Sequence, residues 1–136
     1  MGPSWHDSVT AGTRAQSTNG SAGPDHITQL TYDLAGQKLI ETRGVGTSIA
    51  GPYATYTYGG DGEVTTILDN NSNLTTNLYD GFDRLYKVEY PTPSNGSVSS
   101  TTDYEQFTYD PNSHITIDRR RDGNTMTYTY DNLQRK

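Results

Sequence analysis

The sequence predicts an all-β fold of antiparallel hairpin repeats, each about 21 residues long, forming a twisted sheet with open ends. Three observations predict it. A tyrosine followed by aspartate occurs at Tyr32-Asp33, Tyr79-Asp80, Tyr109-Asp110 and Tyr130-Asp131, and a fifth copy, Tyr58-Gly59, keeps the tyrosine and loses the acid. Tyr58 to Tyr79 and Tyr109 to Tyr130 are both 21 residues, while Tyr32 to Tyr58 is 26 and Tyr79 to Tyr109 is 30, a fixed period with loop insertions. Second, Thr55-Tyr56-Thr57-Tyr58 and Thr127-Tyr128-Thr129-Tyr130 alternate with the period of two that puts tyrosines on one face of a strand and threonines on the other. Third, only 30% of residues are hydrophobic while 11 are tyrosine, a composition suited to half-buried pleated surfaces.

The elements follow in order. Residues 1–27 are rich in Gly, Ser, Thr and Ala without periodicity and read as a flexible leader, with Trp5 exposed rather than docked. Residues 28–136 form the repeat region, with units starting near 30, 56, 77, 107 and 128. In Asp33-Leu34-Ala35-Gly36 the aspartate and glycine occupy the first and last positions of a type I turn, and Asp110-Pro111-Asn112-Ser113 adds a proline that presets φ at the second. Return strands follow at Lys38-Leu39-Ile40-Glu41, Val64-Thr65-Thr66-Ile67, Arg84-Leu85-Tyr86-Lys87-Val88 and Ile115-Thr116-Ile117. Asn70-Asn71-Ser72-Asn73 and Asp122-Gly123-Asn124 mark the turns between hairpins, and residues 44–52 and 91–102 read as surface loops. No stretch has helical periodicity.

Charge and composition exclude several functions. A net charge of -6 argues against a phosphate-binding face, and Arg119-Arg120-Arg121 lies between Asp118 and Asp122 as an exposed turn. The absence of cysteine removes disulfides and thiolate metal sites. No apolar run approaches the roughly 18 residues of a membrane span. No nucleic acid, membrane insertion or cofactor is therefore expected.

Candidate chemistry is sparse. His6, His26 and His114 show no paired spacing, and His114, behind the turn that Asp110 opens, is the one placed to act as a general base. Asp69-x-Asn71-x-Asn73, with Asn77 and Asp80 beyond it, echoes half of a calcium loop, but Leu74 stands where such loops need glycine, so no metal is expected. Asp80, Asp110 and His114 are the catalytic candidates, for a hydrolytic cleft of Asp, His and Tyr created when two sheets associate. Tyr56, Tyr58, Tyr79, Tyr109, Tyr128 and Tyr130 are binding candidates, because aromatic rings beside Asp, Asn and Thr suit glycans. The competing expectation is that the tyrosines stack along the sheet as its core ladder. An ice-binding threonine face is set aside because Thr55/Thr57 and Thr127/Thr129 lack uniform spacing.

The Tyr-Asp-x-x-Gly core, the 21-residue period and the following Asp/Asn-Gly-Asn turn resemble the YD repeats of the RHS (rearrangement hotspot) family over residues 28–136. Tyr32-Asp33-Leu34-Ala35-Gly36-Gln37-Lys38-Leu39 is the best copy, and Tyr79-Asp80-Gly81-Phe82-Asp83-Arg84-Leu85 carries Asp83 in place of the glycine. The resemblance implies a spiralling sheet that in bacterial toxins, toxin-complex shells and teneurins belongs to a large hollow shell. It implies a secreted or cell-surface bacterial parent, of which this chain is a short structural segment without the family's self-cleaving motif. The unit opened by Tyr130-Asp131 stops at Lys136 before a return strand, which fits a fragment with exposed edges that self-associates, as a homodimer.

Overall fold

In a computed structural model describing residues 13–15, 27–133 and 135–136, the alternation of threonines and aromatics becomes strand at 55–58 and 107–109, whereas in Thr127-Tyr128-Thr129-Tyr130 only Thr127 is in a strand. Ten strands result: β1 (Thr13–Ala15), β2 (Thr28–Tyr32), β3 (Lys38–Arg43), β4 (Gly51–Tyr58), β5 (Val64–Asp69), β6 (Leu74–Tyr79), β7 (Leu85–Thr92), β8 (Asn95–Tyr109), β9 (Ile115–Arg119) and β10 (Thr125–Thr127). They lie in one sheet in chain order, each antiparallel to its neighbours. No described residue is helical. β1 falls inside the expected leader and pairs with β2, Arg14 opposite Leu30. Trp5, His6 and His26 lie outside the described residues.

The register puts the two side-chain types on opposite faces. Thr57, Thr66 and Thr76 stand opposite one another across β4, β5 and β6, while Tyr56, Ile67 and Thr75 line up on the other side. Among the described residues nothing covers either face broadly: Ala54 is the one buried hydrophobic side chain, and no large side chain is fully buried. Stability in such a layer rests on the strand ladder, the turns and contacts between half-buried side chains.

One turn geometry recurs along the sheet. In the 33–37 turn, Asp33 N donates to Gln37 O at 2.9 Å and Gly36 N to Asp33 O at 3.1 Å, while Asp33 Oδ1 accepts from Ala35 N and Gln37 N at 2.9 and 2.8 Å. Asp69, Asp80 and Asp110 open the same set of bonds in the 69–73, 80–84 and 110–114 turns, and in the 131–135 turn Asp131 N donates to Arg135 O while Asp131 Oδ1 accepts from Leu133 N and Arg135 N. The fourth residue must take positive φ, which is the form of a three-residue hairpin loop with a bulge. It is glycine at Gly36, Gly62 and Gly123 (81°, 95° and 86°), and Ser72, Asp83 and Ser113 adopt the same region at 63°, 59° and 67°. The aspartates are thus turn formers, and Asp83 does substitute for glycine in a left-handed position.

The 59–63 turn lacks its aspartate, and the nearby acid, Glu63, does not take over its hydrogen bonds: Glu63 Oε2 is buried without a partner among the described residues. Glu63 Oε2 lies 2.9 Å from where a β-carbon on Gly59 would stand. The backbone bonds of the turn persist, with Gly59 N to Glu63 O at 2.8 Å.

A regular irregularity accompanies the 33–37, 59–63, 80–84 and 110–114 turns. Between Thr31 and Tyr32, Thr57 and Tyr58, Leu78 and Tyr79, and Thr108 and Tyr109, the facing strand advances two residues for one, leaving Leu39, Thr65, Tyr86 and Thr116 as extra residues. Such bulges bend and twist the return strand.

The second spacer is not a loop. Residues 91–102 continue β7 and β8 into a long arm, with Thr92 opposite Asn95 and only Pro93 and Ser94 at the tip. Composition misled here because proline and glycine occupy the tip and the arm's edge, where strands tolerate them. The arm leans back on β6: Ser99 Oγ lies 2.6 Å from Thr76 Oγ1 and donates to Leu74 O at 3.2 Å. At its kink Ser100 is buried, its Oγ accepting from Thr102 N and Asp103 N.

Candidate functional site

The candidate tyrosines do not form a ring-on-ring ladder. Four of them clamp backbone instead: Tyr58 donates its hydroxyl to Lys38 O at 2.7 Å, Tyr79 to Val64 O at 3.0 Å, Tyr109 to Leu85 O at 2.6 Å and Tyr130 to Ile115 O at 2.9 Å. Each acceptor is the residue paired with the tyrosine one hairpin earlier, since Tyr32, Tyr58, Tyr79 and Tyr109 stand opposite Lys38, Val64, Leu85 and Ile115. The next ladder has already ended at that level, its nearest pairs being Ile40 with Thr55, Thr66 with Thr76, Lys87 with Gln106 and Ile117 with Thr127. A backbone carbonyl there lacks a strand partner, and the phenol supplies one.

The remaining aromatic faces carry cations. Lys38 Nζ sits 4.4 Å from the Tyr56 ring centre and Lys136 Nζ 3.3 Å from that of Tyr128, while Arg119 and Lys87 lie 3.8 and 4.3 Å from Tyr104. Contacts of this kind contribute about 0.5–1 kcal/mol at exposed sites. So of the six binding candidates, four have their hydroxyls and two their ring faces engaged within the sheet.

At the end of the sheet where the 33–37, 59–63, 80–84, 110–114 and 131–135 turns lie side by side, neighbouring turns touch through their last residue. Arg84 bonds its own Asp80 and reaches Asp110 O and Ser113 Oγ at 3.2 and 3.1 Å. His114 Nδ1 lies 3.0 Å from Asp110 Oδ2, and its ring stacks on Tyr130 at 4.7 Å between centres and 27° between planes. Asp110, Asn112, His114, Tyr130, Asp131 and Asn132 then line an open cleft of about 310 Å³. Of the catalytic candidates, Asp110 and His114 therefore meet, and they do so within one chain, without a second copy. Asp80 does not join them; its carboxylate belongs to Arg84.

The sequence reading missed one constellation. Asp61, Glu63 and Asp83 bring carboxylate oxygens within 4.8 Å of one another across the 59–63 and 80–84 turns. Its visible consequence is electrostatic: burial and the Asp61, Glu63 and Asp80 charges raise the pKa of Asp83 above the ordinary value. The calcium-like Asp69 is different. Both its oxygens accept from its own turn, from Asn71 N, Asn73 N and Asn73 Nδ2.

These environments set a pH dependence with a definite sign. The guanidinium of Arg84 lowers the pKa of Asp80, that of Arg121 lowers Asp103, and the His114 amide lowers Asp110. Asp69, Asp122 and Asp131 are lowered by the side-chain or backbone N–H groups of Asn73, Asn124 and Arg135. A carboxylate with a depressed folded pKa contributes stability above its unfolded pKa of about 4 and loses it as pH falls through the folded value. Asp83 has the opposite sign, its penalty being present above its raised pKa and relieved as pH falls. The melting temperature should be level near neutrality and drop below about pH 4. Asp83→Gly, which also removes a left-handed non-glycine residue, should raise the neutral-pH melting temperature, by less as the solution is acidified. Thermal melts from pH 3 to 8 check both, and a lower neutral melting temperature for Asp83→Gly refutes the second.

No family model matches this chain, and no curated protein matches it.

Proposed function

We propose that this chain is a structural segment of a YD-repeat sheet of the RHS type, part of a larger shell or surface protein, and that it associates with itself. The observation that carries the reading is the phenol clamp. The side chains that recur with the period, tyrosine and aspartate, spend their polar atoms on the neighbouring strand and on their own turn. Residues selected for ligand chemistry would keep those atoms free. Each hairpin joins the next by the same bonds, so the sheet lengthens by addition of units, which is how an extended wall is built.

Self-association follows from the single layer. Both faces are half exposed, and Thr125, Met126 and Thr127 of edge strand β10 are exposed without a charge or proline to discourage pairing. Light scattering at tens of micromolar tests this: a mass of two or more chains is expected, and a stable monomer removes the self-association.

A further inference from the structure

We propose that the cleft between the 110–114 and 131–135 turns hydrolyses small uncharged esters, with His114 as the general base and Asp110 as the residue that positions it. This goes beyond the structural reading and does not rest on it. The evidence is how completely the imidazole is held. Asp110 is fixed in its turn, Oδ1 accepting from Asn112 N and His114 N at 2.8 and 2.9 Å, and this leaves Oδ2 to take Nδ1 of His114 at 3.0 Å. A carboxylate at Nδ1 favours the tautomer whose proton sits there and whose lone pair is on Nε2. Stacking on Tyr130 sets the plane of the ring, and Tyr130 is itself tied to Ile115 O. Two independent restraints thus orient a basic nitrogen at a cleft of about 310 Å³.

The lining selects the substrate. Asp110 and Asp131 place two carboxylates on the cleft, so an anionic phosphate monoester is repelled and an uncharged ester is admitted. The other charged groups around the histidine are engaged: Arg135 with Asp131 at 2.7 Å, and Arg84 with Asp80 at 2.7 Å. Asn112 and Asn132 line the same space, and a side-chain amide is a group that can donate to a developing oxyanion. Ser113 Oγ is held by Arg84 at 3.1 Å, and the nucleophile is water.

The step balances without any other reactant. His114 Nε2 takes a proton from water as the water oxygen bonds to the acyl carbon, and the carbonyl electron pair moves to oxygen. When the oxyanion collapses, the bond to the leaving alkoxide or phenoxide breaks, and the imidazolium returns the proton to it. The products are one carboxylic acid and one alcohol or phenol.

Hydrolysis of p-nitrophenyl acetate by the whole chain is the test, with p-nitrophenyl phosphate as the anionic counterpart. His114→Gln should lose about 100-fold or more in kcat/KM, the usual share of a positioned general base. Asp110→Asn keeps Oδ1 for the turn but cannot accept at the second atom; it should retain the circular dichroism of the parent, lose activity, and shift the pH-rate profile. A His114→Gln chain within twofold of the parent overturns the proposal. So does an initial burst of nitrophenol, which marks acylation of the protein, or equal turnover of the phosphate.

Discussion

A chain carrying Tyr58→Phe, Tyr79→Phe, Tyr109→Phe and Tyr130→Phe together is expected to lose most of its stability while keeping every aromatic ring. Each substitution deletes one hydroxyl; the half-buried carbonyls of Lys38, Leu85 and Ile115 lose the phenol that donates to them, while Val64 O keeps a second donor, Asn77 Nδ2 at 2.9 Å. A typical hydrogen bond contributes about 0.5–1.5 kcal/mol net, and an acceptor left buried and unpaired costs about 1–3 kcal/mol. Burial raises the pKa of the Tyr109 phenol, which places that site toward the costly end. The four sites lie one hairpin apart, about 10 Å at the usual strand spacing, far enough for their effects to add. The sum, about 3–6 kcal/mol, compares with a usual total of about 5–15 kcal/mol for a domain. Urea or thermal unfolding followed by circular dichroism should show the transition shifted far down or absent. The control is Tyr86→Phe with Tyr104→Phe, which removes hydroxyls that make no such bond and should change little. If the quadruple chain unfolds like the control, the clamps are not what holds the sheet.

How much of this was legible in the sequence depends on the reach of the interaction. The turns are local, and Asp33, Asp80 and Asp110 announced them because an acceptor two and four residues from its donors is fixed by chain geometry. The bulges left a partial trace. Leu39-Ile40 and Leu85-Tyr86 put two apolar residues in succession where alternation asks for one, but Thr65-Thr66 and Thr116-Ile117 carry no such mark. The tyrosine clamp left none. Its donor and acceptor are 15 to 24 residues apart and meet only because a ladder ends early, which a single sequence does not encode locally.

The cleft divides in the same way. Asp110 and His114, four apart across one turn, were readable as a pair, whereas the contact with Tyr130 needed the strand register. The arm of β7 and β8 failed for the opposite reason. Its proline, glycine and serine content was read as loop chemistry, yet Ser99 works as a strand residue that fills the unpaired positions of β6.

Arg84→Ala should be the most damaging single substitution at the turn end of the sheet, because this side chain is the joint between two hairpins. Its Nε and Nη2 reach Asp80 Oδ2 at 2.8 and 2.7 Å, and its Nη1 donates to Asp110 O and Ser113 Oγ in the next turn. Its guanidinium lies 4.6 Å from the Tyr109 ring centre and 5.2 Å from that of Phe82. An exposed ion pair alone contributes little, but here the same planar group makes a forked contact, two bonds to a second turn and a stacked face, with 22% of the side chain exposed. The expected loss is about 2 kcal/mol, roughly 10 °C in melting temperature for a domain of this size. Arg84→Lys keeps the charge and loses the fork, and should recover less than half. The loss must also be felt at a distance: amide exchange at Asn112 and His114 should accelerate in Arg84→Ala, since the 110–114 turn loses the donor that braces its carbonyl. A stability change confined to the 80–84 turn, with exchange at Asn112 and His114 unaltered, means that the hairpins are held together by their strands alone and that Arg84 serves only its own turn.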